Sequence, residues 1–306
     1  MIKGGYRMKS GNILMIVNPV AGKMKSKRGL FTAAEIFCRR GYEVSVSITG
    51  GKGDARRIAA ERGGGYSTVV AVGGDGTFSE VVSGLIDGGH STPIGYIPAG
   101  TTNDFAATLG LPKSIAAAAG VIAEGEVQSL DAGCFCGDGY FTYIASCGAF
   151  TKTSYSTPQS VKNIFGHLSY VFEGIKELSE IKPRIMTFRG KGIDITEEVL
   201  FAAVANTTSI GGVIGLPKDD VRMNDGLLEL LVIKKPGSRQ ELNNLIVKLT
   251  KKDLSDGNII LEHLDSVSIS SEEKLSYTLD GEWGGEKDSA DISVIPGAFN
   301  IILPKK

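Results

Sequence analysis

The feature that most constrains this chain is Val69-Val70-Ala71-Val72 running straight into Gly73-Gly74-Asp75-Gly76-Thr77. The short apolar, β-branched run reads as a buried parallel strand. The glycines after it permit positive φ and let main-chain N–H groups approach a ligand closely. A helix begins at once. Thr77 and Glu80 have the spacing of a capping box, Val81, Val82, Leu85 and Ile86 give an apolar face, and Gly88 is a stop. Strand, glycine loop and helix N-terminus together form an anion site, because unpaired N–H groups and the helix dipole both point at the loop. A bare Asp75 there would repel phosphate unless a cation mediates, so nucleotide phosphates bound with Mg²⁺ are expected. The two familiar phosphate loops fit poorly. No Gly-x-x-x-x-Gly-Lys-Ser/Thr occurs, and Ser79 stands where a dinucleotide loop carries Gly or Ala. Taken alone, such a loop is as readily a tight turn with no ligand.

The totals bound the remaining choices. A chain of 306 residues makes about two domains the expectation. Lys plus Arg (33) nearly balances Asp plus Glu (34), which argues against a nucleic-acid partner. Cys38, Cys134, Cys136 and Cys147 have neither zinc spacing nor a redox Cys-x-x-Cys, so a reduced, cytoplasmic setting is expected. No N-terminal signal pattern is seen. The longest near-apolar run, Ile115 to Ala123, is about half of what spans a bilayer, so membrane contact is expected to be peripheral.

Ile13 to Val17 reads as a strand ending in Asn18-Pro19-Val20-Ala21-Gly22. Lys23, Lys25, Lys27 and Arg28 then lead into a helix with Leu30, Phe31, Ala34 and Phe37 on one face. Cations are disfavoured at a helix N-terminus unless an anion is near, although a solvated helix start is the plainer reading. Val44, Val46 and Ile48 alternate as a strand, and Thr49 to Asp54 turns into a helix from Ala55 to Arg62. Ile94 to Ile97 is a further strand, followed by Pro98-Ala99-Gly100-Thr101-Thr102-Asn103-Asp104-Phe105. This alternation predicts an α/β domain with an open parallel sheet. Ligands bind beyond the carboxyl ends of such strands, where Asn18, Thr49, Asp75, Thr101 and Asp104 gather.

Near Leu130 the rhythm changes. Long apolar strands such as Val199 to Ala205 and Leu227 to Ile233 predict a β-rich, sandwich-like second domain, dividing the chain into 1–131 and 132–306. Two helical segments interrupt it. One carries Val161, Ile164, Phe165, Leu168 and Phe172 at core spacing, and the other runs from Ser238 to Leu249. Two acidic turns stand out, Asn224-Asp225-Gly226 and Asp280-Gly281-Glu282-Trp283. Asp-Gly is first of all a hairpin signal, so each turn alone reads as structural.

Assembled in order, these residues resemble the soluble bacterial diacylglycerol kinases and related lipid kinases. The motifs carrying the likeness are Asn18 to Gly22, Thr49 with Gly53-Asp54, Gly73 to Thr77, Pro98 to Phe105, Asn224 to Gly226 and Asp280 to Glu282. The likeness covers nearly the whole chain and extends more distantly to sphingosine kinases and NAD kinases. Ser79 departs from it, where the family usually carries Asn, and so does Ala107, where a basic residue is frequent.

The resemblance implies an ATP site lined by Asn18, Pro19, Val20, Ala21, Gly22, Thr49, Gly74, Asp75, Gly76, Thr77, Phe78, Ser79, Glu80 and Thr101, with the active site between the two domains. It implies Asp75 and Asp104 as organisers of Mg²⁺ and the phosphates. Asp225 would hold a Mg²⁺ with main-chain carbonyls near Arg222 and Leu227. Glu282 would be the general base for the lipid hydroxyl, with Asp280 close by and the choice between the two open. The implied activity is transfer of the ATP phosphoryl group to diacylglycerol, giving phosphatidic acid. A peripheral contact at the inner membrane face would go with it, and a homodimer is compatible. Phosphatidylglycerol or a sphingoid base is the alternative acceptor, NAD a third, and a non-catalytic nucleotide sensor the reading outside enzymes.

Overall fold

The computed structural model describes residues 11–22, 25–101, 103–137, 139–148, 182–210, 214–216, 222–251 and 253–305. The apolar stripe from Val161 to Phe172 and the cation Lys23 lie outside them, as do the side chains of Lys25, Lys27 and Arg28. The chain divides into two compact units. The first is Met1–Leu130 with Ala298–Lys306, and the second is Asp131–Gly297. The last nine residues, expected in the β-rich part, therefore belong to the first unit.

The first unit alternates strands and helices: β1 (Gly11–Val17), α1 (Lys25–Arg39), β2 (Tyr42–Ile48), α2 (Asp54–Arg62), β3 (Thr68–Gly73), α3 (Asp75–Asp87), β4 (Ile94–Pro98), α4 (Asp104–Thr108) and α5 (Ile115–Glu124). β1 lies between β2 and β3, and β3 pairs β4, all in parallel. Every residue of β3 and β4 is buried, the pattern of strands covered on both faces. The core joins Ile13, Met15 and Val17 of β1 to Val70, Val72 and Ile97, with Phe37 of α1 and Ile122 of α5 packed on them. A second cluster forms around Phe78, whose ring meets Tyr96 at 4.6 Å, Phe105 at 5.4 Å and Phe299 at 6.1 Å between centroids.

β5 (Glu126–Phe135) leads into the second unit. There follow β6 (Gly139–Phe141), β7 (Ile144–Gly148), β8 (Arg184–Gly190), β9 (Ile193–Ala205), the short pair β10 (Ser209–Ile210) and β11 (Ile214–Gly215), and β12 (Leu228–Lys234). Then come α6 (Arg239–Thr250), β13 (Ile259–Leu264), β14 (Ser266–Leu279) and β15 (Glu282–Leu303). The strands of this unit run antiparallel in the order β13-β12-β9-β7-β14-β15, and β8 pairs both β9 and β14. One face of them buries Phe141, Phe188, Val204, Leu230, Val267 and Tyr277 in a common core. Among the described residues the parallel pairing expected of the first unit is found there, where the end of β15 also joins β4 through Ile301 and Ile94, but the sheet as a whole is mixed rather than an open parallel one.

The capping box also moves. α3 begins at Asp75, two residues before Thr77, and its N-cap is Gly74. Thr77 Oγ1 instead accepts from Asn18 Nδ2 at 3.1 Å. The box forms at α6: Ser238 Oγ accepts from Glu241 N, and the Glu241 carboxylate returns to Gly237 N at 2.9 Å.

Candidate active site

In the first unit three loops at the carboxyl ends of β1, β3 and β4 are drawn together. Asn18 donates its side chain to Thr77, and Ala99 and Gly100 donate their N–H groups to Gly73 O. Glycine is required at two of the contacts. Gly22 has φ +62°, and a Cβ there would overlap the carbonyl oxygen of Ala99. A Cβ on Gly100 would lie 2.6 Å from Gly74 Cα. Close loop approach, as well as ligand approach, therefore explains the glycines.

Asp75, the first residue of α3, accepts from Tyr96 Oη at 3.1 Å and from Asp104 N at 2.8 Å. One carboxylate thus bridges the β3 and β4 loops and caps α4, which opens after a left-handed Asn103. Asp104 is the first residue of that helix. Glu80, five residues on from Asp75 in α3, is used elsewhere. Its carboxylate accepts Gly53 N at 2.9 Å and Ala55 N at 3.1 Å, capping α2 across from α3. Phe78 is fully buried in the aromatic cluster, so its side chain faces the core rather than a ligand. Thr49 is buried with Oγ1 on Val17 O at 3.4 Å. Val20 is 85% exposed at the loop tip, Thr101 is exposed, and Ser79, Pro19, Ala21 and Gly76 are half-buried.

In the second unit Asp280 is 5% exposed with φ +49°. Its Oδ2 accepts from Thr142 N at 2.7 Å and Thr142 Oγ1 at 2.9 Å. Its Oδ1 accepts from Tyr143 N at 3.0 Å and Ile144 N at 3.1 Å. A carboxylate that accepts from four donors acts as a structural clasp. Glu282, two residues on, begins β15 beside Trp283, and both are exposed.

The Asp225 turn is exposed, with Oδ1 accepting Leu227 N at 3.1 Å; Arg222 is exposed and Leu227 half-buried. Two residues not singled out in the sequence support it. Asp131 is 2% exposed and accepts Gly226 N at 2.8 Å and Gly297 N at 2.7 Å. Its only sequence signal is an acid inside Leu130-Asp131-Ala132. Glu229 is fully buried in β12, both its oxygens lack a hydrogen-bond partner among the described residues, and His263 Nδ1 stands too far off at 3.8 Å. Burial, with a smaller contribution from the Asp225 charge, pushes its carboxyl up to about 8. Cys147 is likewise buried, which pushes its thiol up to about 12.

An α/β unit with carboxylates in its strand-end glycine loops, followed by an antiparallel unit bearing acidic turns, is the two-domain architecture this chain shares with a family of kinases. The chain belongs to the diacylglycerol kinase family. The diacylglycerol kinase catalytic domain matches residues 12–135, and the YegS C-terminal NAD kinase beta sandwich-like domain matches residues 148–303. The protein named diacylglycerol kinase in Bacillus subtilis (strain 168) is 32% identical over 301 residues, covering 95% of this chain and 96% of its own. Its namesake in Staphylococcus aureus (strain bovine RF122 / ET3-1) is 33% identical over 275 residues, covering 89% and 86%. The crystal structure of a diacylglycerol kinase from Bacillus anthracis str. Sterne shares the fold, with TM-score 0.72, 24% identity and coverage of 95% and 96%. The chain is accordingly a phosphotransferase.

Proposed function

We propose that this kinase transfers the γ-phosphoryl group of ATP to the hydroxyl of diacylglycerol, giving phosphatidic acid. The observation that carries the reading is the Asp280 clasp. With its four hydrogen bonds Asp280 serves as an anchor of the turn, and Glu282, exposed two residues on, is the carboxylate we assign to accept the hydroxyl proton. Asp75 and Asp104 would act at the phosphates, with Asn18 to Gly22, Gly74 to Thr77 and Thr101 around the nucleotide. Thr49 and Ser79 would support these loops, Phe78 would act through packing, and Glu80 by fixing the α2 turn.

The Asp225 turn has the donor chemistry for a divalent cation. The Asp225 carboxylate is exposed, and its charge adds to the burial that raises the neighbouring Glu229 carboxyl. Asp225, with the carbonyls of Arg222 and Leu227, would hold Mg²⁺ there. When bound, Mg²⁺ supplies charge neutralisation to the acidic turn and, in the nucleotide complex, to the phosphates.

A lipid acceptor requires contact with a membrane surface. No helix among the described residues is long and apolar enough to cross one. Peripheral contact on the cytoplasmic side fits the four free cysteines and the cations Lys23, Lys25, Lys27 and Arg28, each worth about 1 kcal/mol near an anionic surface. The test is incubation of the purified protein with γ-labelled ATP, Mg²⁺ and vesicles carrying diacylglycerol, phosphatidylglycerol or a sphingoid base, with free NAD in parallel. Label in phosphatidic acid is the expected result. Label in NAD alone, or nucleotide binding with no product, would overturn it.

A further inference from the structure

An unbroken path of hydrogen bonds joins the two acidic turns of the second unit. Gly226 donates its N–H to Asp131 Oδ2 at 2.8 Å. The carbonyl of Asp131 accepts Asn206 Nδ2, also at 2.8 Å. Asn206 in turn donates its own N–H to Tyr143 O at 2.9 Å, and Tyr143 donates to Asp280 Oδ1 at 3.0 Å. Asp280 stands two residues before Glu282. Asn206 is the joint in this path, because it faces one turn with its side chain and the other with its main chain.

Asn206 is 0% exposed, and its buried Oδ1 has no hydrogen-bond partner among the described residues. A buried amide with an unpaired oxygen lowers stability, so packing alone would be better served by an apolar side chain. The run before it, Leu200 to Ala205, is entirely apolar. By strand alternation Asn206 also lies on the face opposite to Glu229, which pairs with Ala205, so the two orphaned groups do not share one pocket.

We propose that Asn206 is a positioning residue that fixes the Asp280–Glu282 turn relative to the Asp225 turn. The inference rests on the reading of Glu282 as the group that takes the acceptor's proton. It extends that reading to a residue far from Glu282 in sequence.

The test uses the full chain with Asn206→Ala, which removes the donor to Asp131, and Asn206→Ser, whose shorter hydroxyl can still donate. Trp283 is the chain's single tryptophan and adjoins Glu282, so acrylamide quenching of its fluorescence reports the turn without any need for activity. Urea unfolding establishes that each variant is folded. Calorimetry gives ATP affinity, and vesicle assays give kcat with diacylglycerol. For Asn206→Ala the expected result is a changed Trp283 quenching constant and a kcat reduced by roughly tenfold to 100-fold, the scale of a misplacement of about 1 Å. ATP affinity should stay within about twofold, because no interaction with the nucleotide is lost. Asn206→Ser should lie between Asn206→Ala and the unsubstituted protein in both readouts. Folded variants with unaltered quenching and kcat would overturn the inference. So would a parallel loss of kcat and ATP affinity, or failure of both variants to fold, since each makes Asn206 a general structural residue. If the unsubstituted protein phosphorylates no lipid, the proposed substrate fails, while the quenching comparison still decides whether Asn206 holds the turn.

Discussion

Asp104 donates its main-chain N–H to the Asp75 carboxylate across 2.8 Å. From the sequence, an acid in a glycine loop is free of packing, so its removal should leave the fold untouched. The bond to Asp104, with that from Tyr96 Oη, gives Asp75 a structural duty as well. Asp75→Ala is expected to abolish phosphoryl transfer and to lower stability by about 1–3 kcal/mol. Asp75→Asn keeps one acceptor oxygen and should lose less stability while losing comparable activity. Urea unfolding beside a kinase assay separates the two effects; full stability in folded Asp75→Ala would contradict the bridging role.

The two acids of the second acidic turn should respond differently. Glu282→Gln is expected to cut kcat by on the order of 10² to 10⁴ with stability unchanged. Asp280→Asn places an amide against main-chain donors, at a cost of about 1–3 kcal/mol for each donor left unpaired. It should therefore unfold at lower denaturant concentration. If Asp280→Asn were as stable as the unsubstituted protein and inactive, while Glu282→Gln kept its kcat, the base would be Asp280.

Gly22→Ala is expected to weaken ATP binding by about tenfold or more through a displaced loop. The new methyl meets the Ala99 carbonyl at a backbone angle that L-residues avoid. Calorimetric titration with ATP checks this, and Gly53→Ala is the control. Gly53 also has positive φ, but a Cβ there would meet nothing within 4 Å. Equal affinity losses in both variants would implicate backbone strain alone.

Glu229 gives a pH dependence with a definite sign. Its folded value of about 8 lies above its ordinary 4.5, so the protonated carboxyl is the form that the folded chain favours. The associated stability is present below the unfolded value and is lost as pH rises through the folded one. With divalent ions chelated, stability should fall between about pH 4.5 and pH 8. Glu229→Gln should flatten that fall and raise stability at pH 8 by a few kcal/mol, roughly 3. A chelated protein with identical pH profiles for both forms would show that Glu229 is not buried as an acid.

Cys147 should resist alkylation in the native protein. Its thiol is buried and pushed up to about 12, whereas Cys38 is exposed. Mass spectrometry after brief iodoacetamide treatment near neutral pH should find the adduct on Cys38 and none on Cys147.

The parts of the site that were legible in the sequence are local in the chain. Gly73 to Thr77 reads as strand end and loop because the switch from β-branched residues to glycine happens within a few positions. Ser238 to Leu249 and Ile13 to Val17 are similarly self-evident. What escaped depends on contacts between distant segments. Glu80 looks like half of a capping box with Thr77, yet its carboxylate is drawn to the free N–H groups of α2, which no local spacing encodes. Asp131 serves Gly226 and Gly297, residues 95 and 166 positions away. Asn206 shows nothing in sequence beyond a polar residue after an apolar strand.

Ile301 and Phe299, almost the last residues of the chain, complete the first unit: one pairs with Ile94, and the other packs on Phe78 behind the glycine loop. During synthesis Phe78 and Ile94 are therefore made long before Phe299 and Ile301, their partners in the first unit. The first unit must wait on the ribosome with Ile94 and Phe78 uncovered while the whole of the second unit is made. A fragment ending near Leu130 should accordingly be poorly soluble, because it lacks the strand that covers Phe78 and pairs with Ile94.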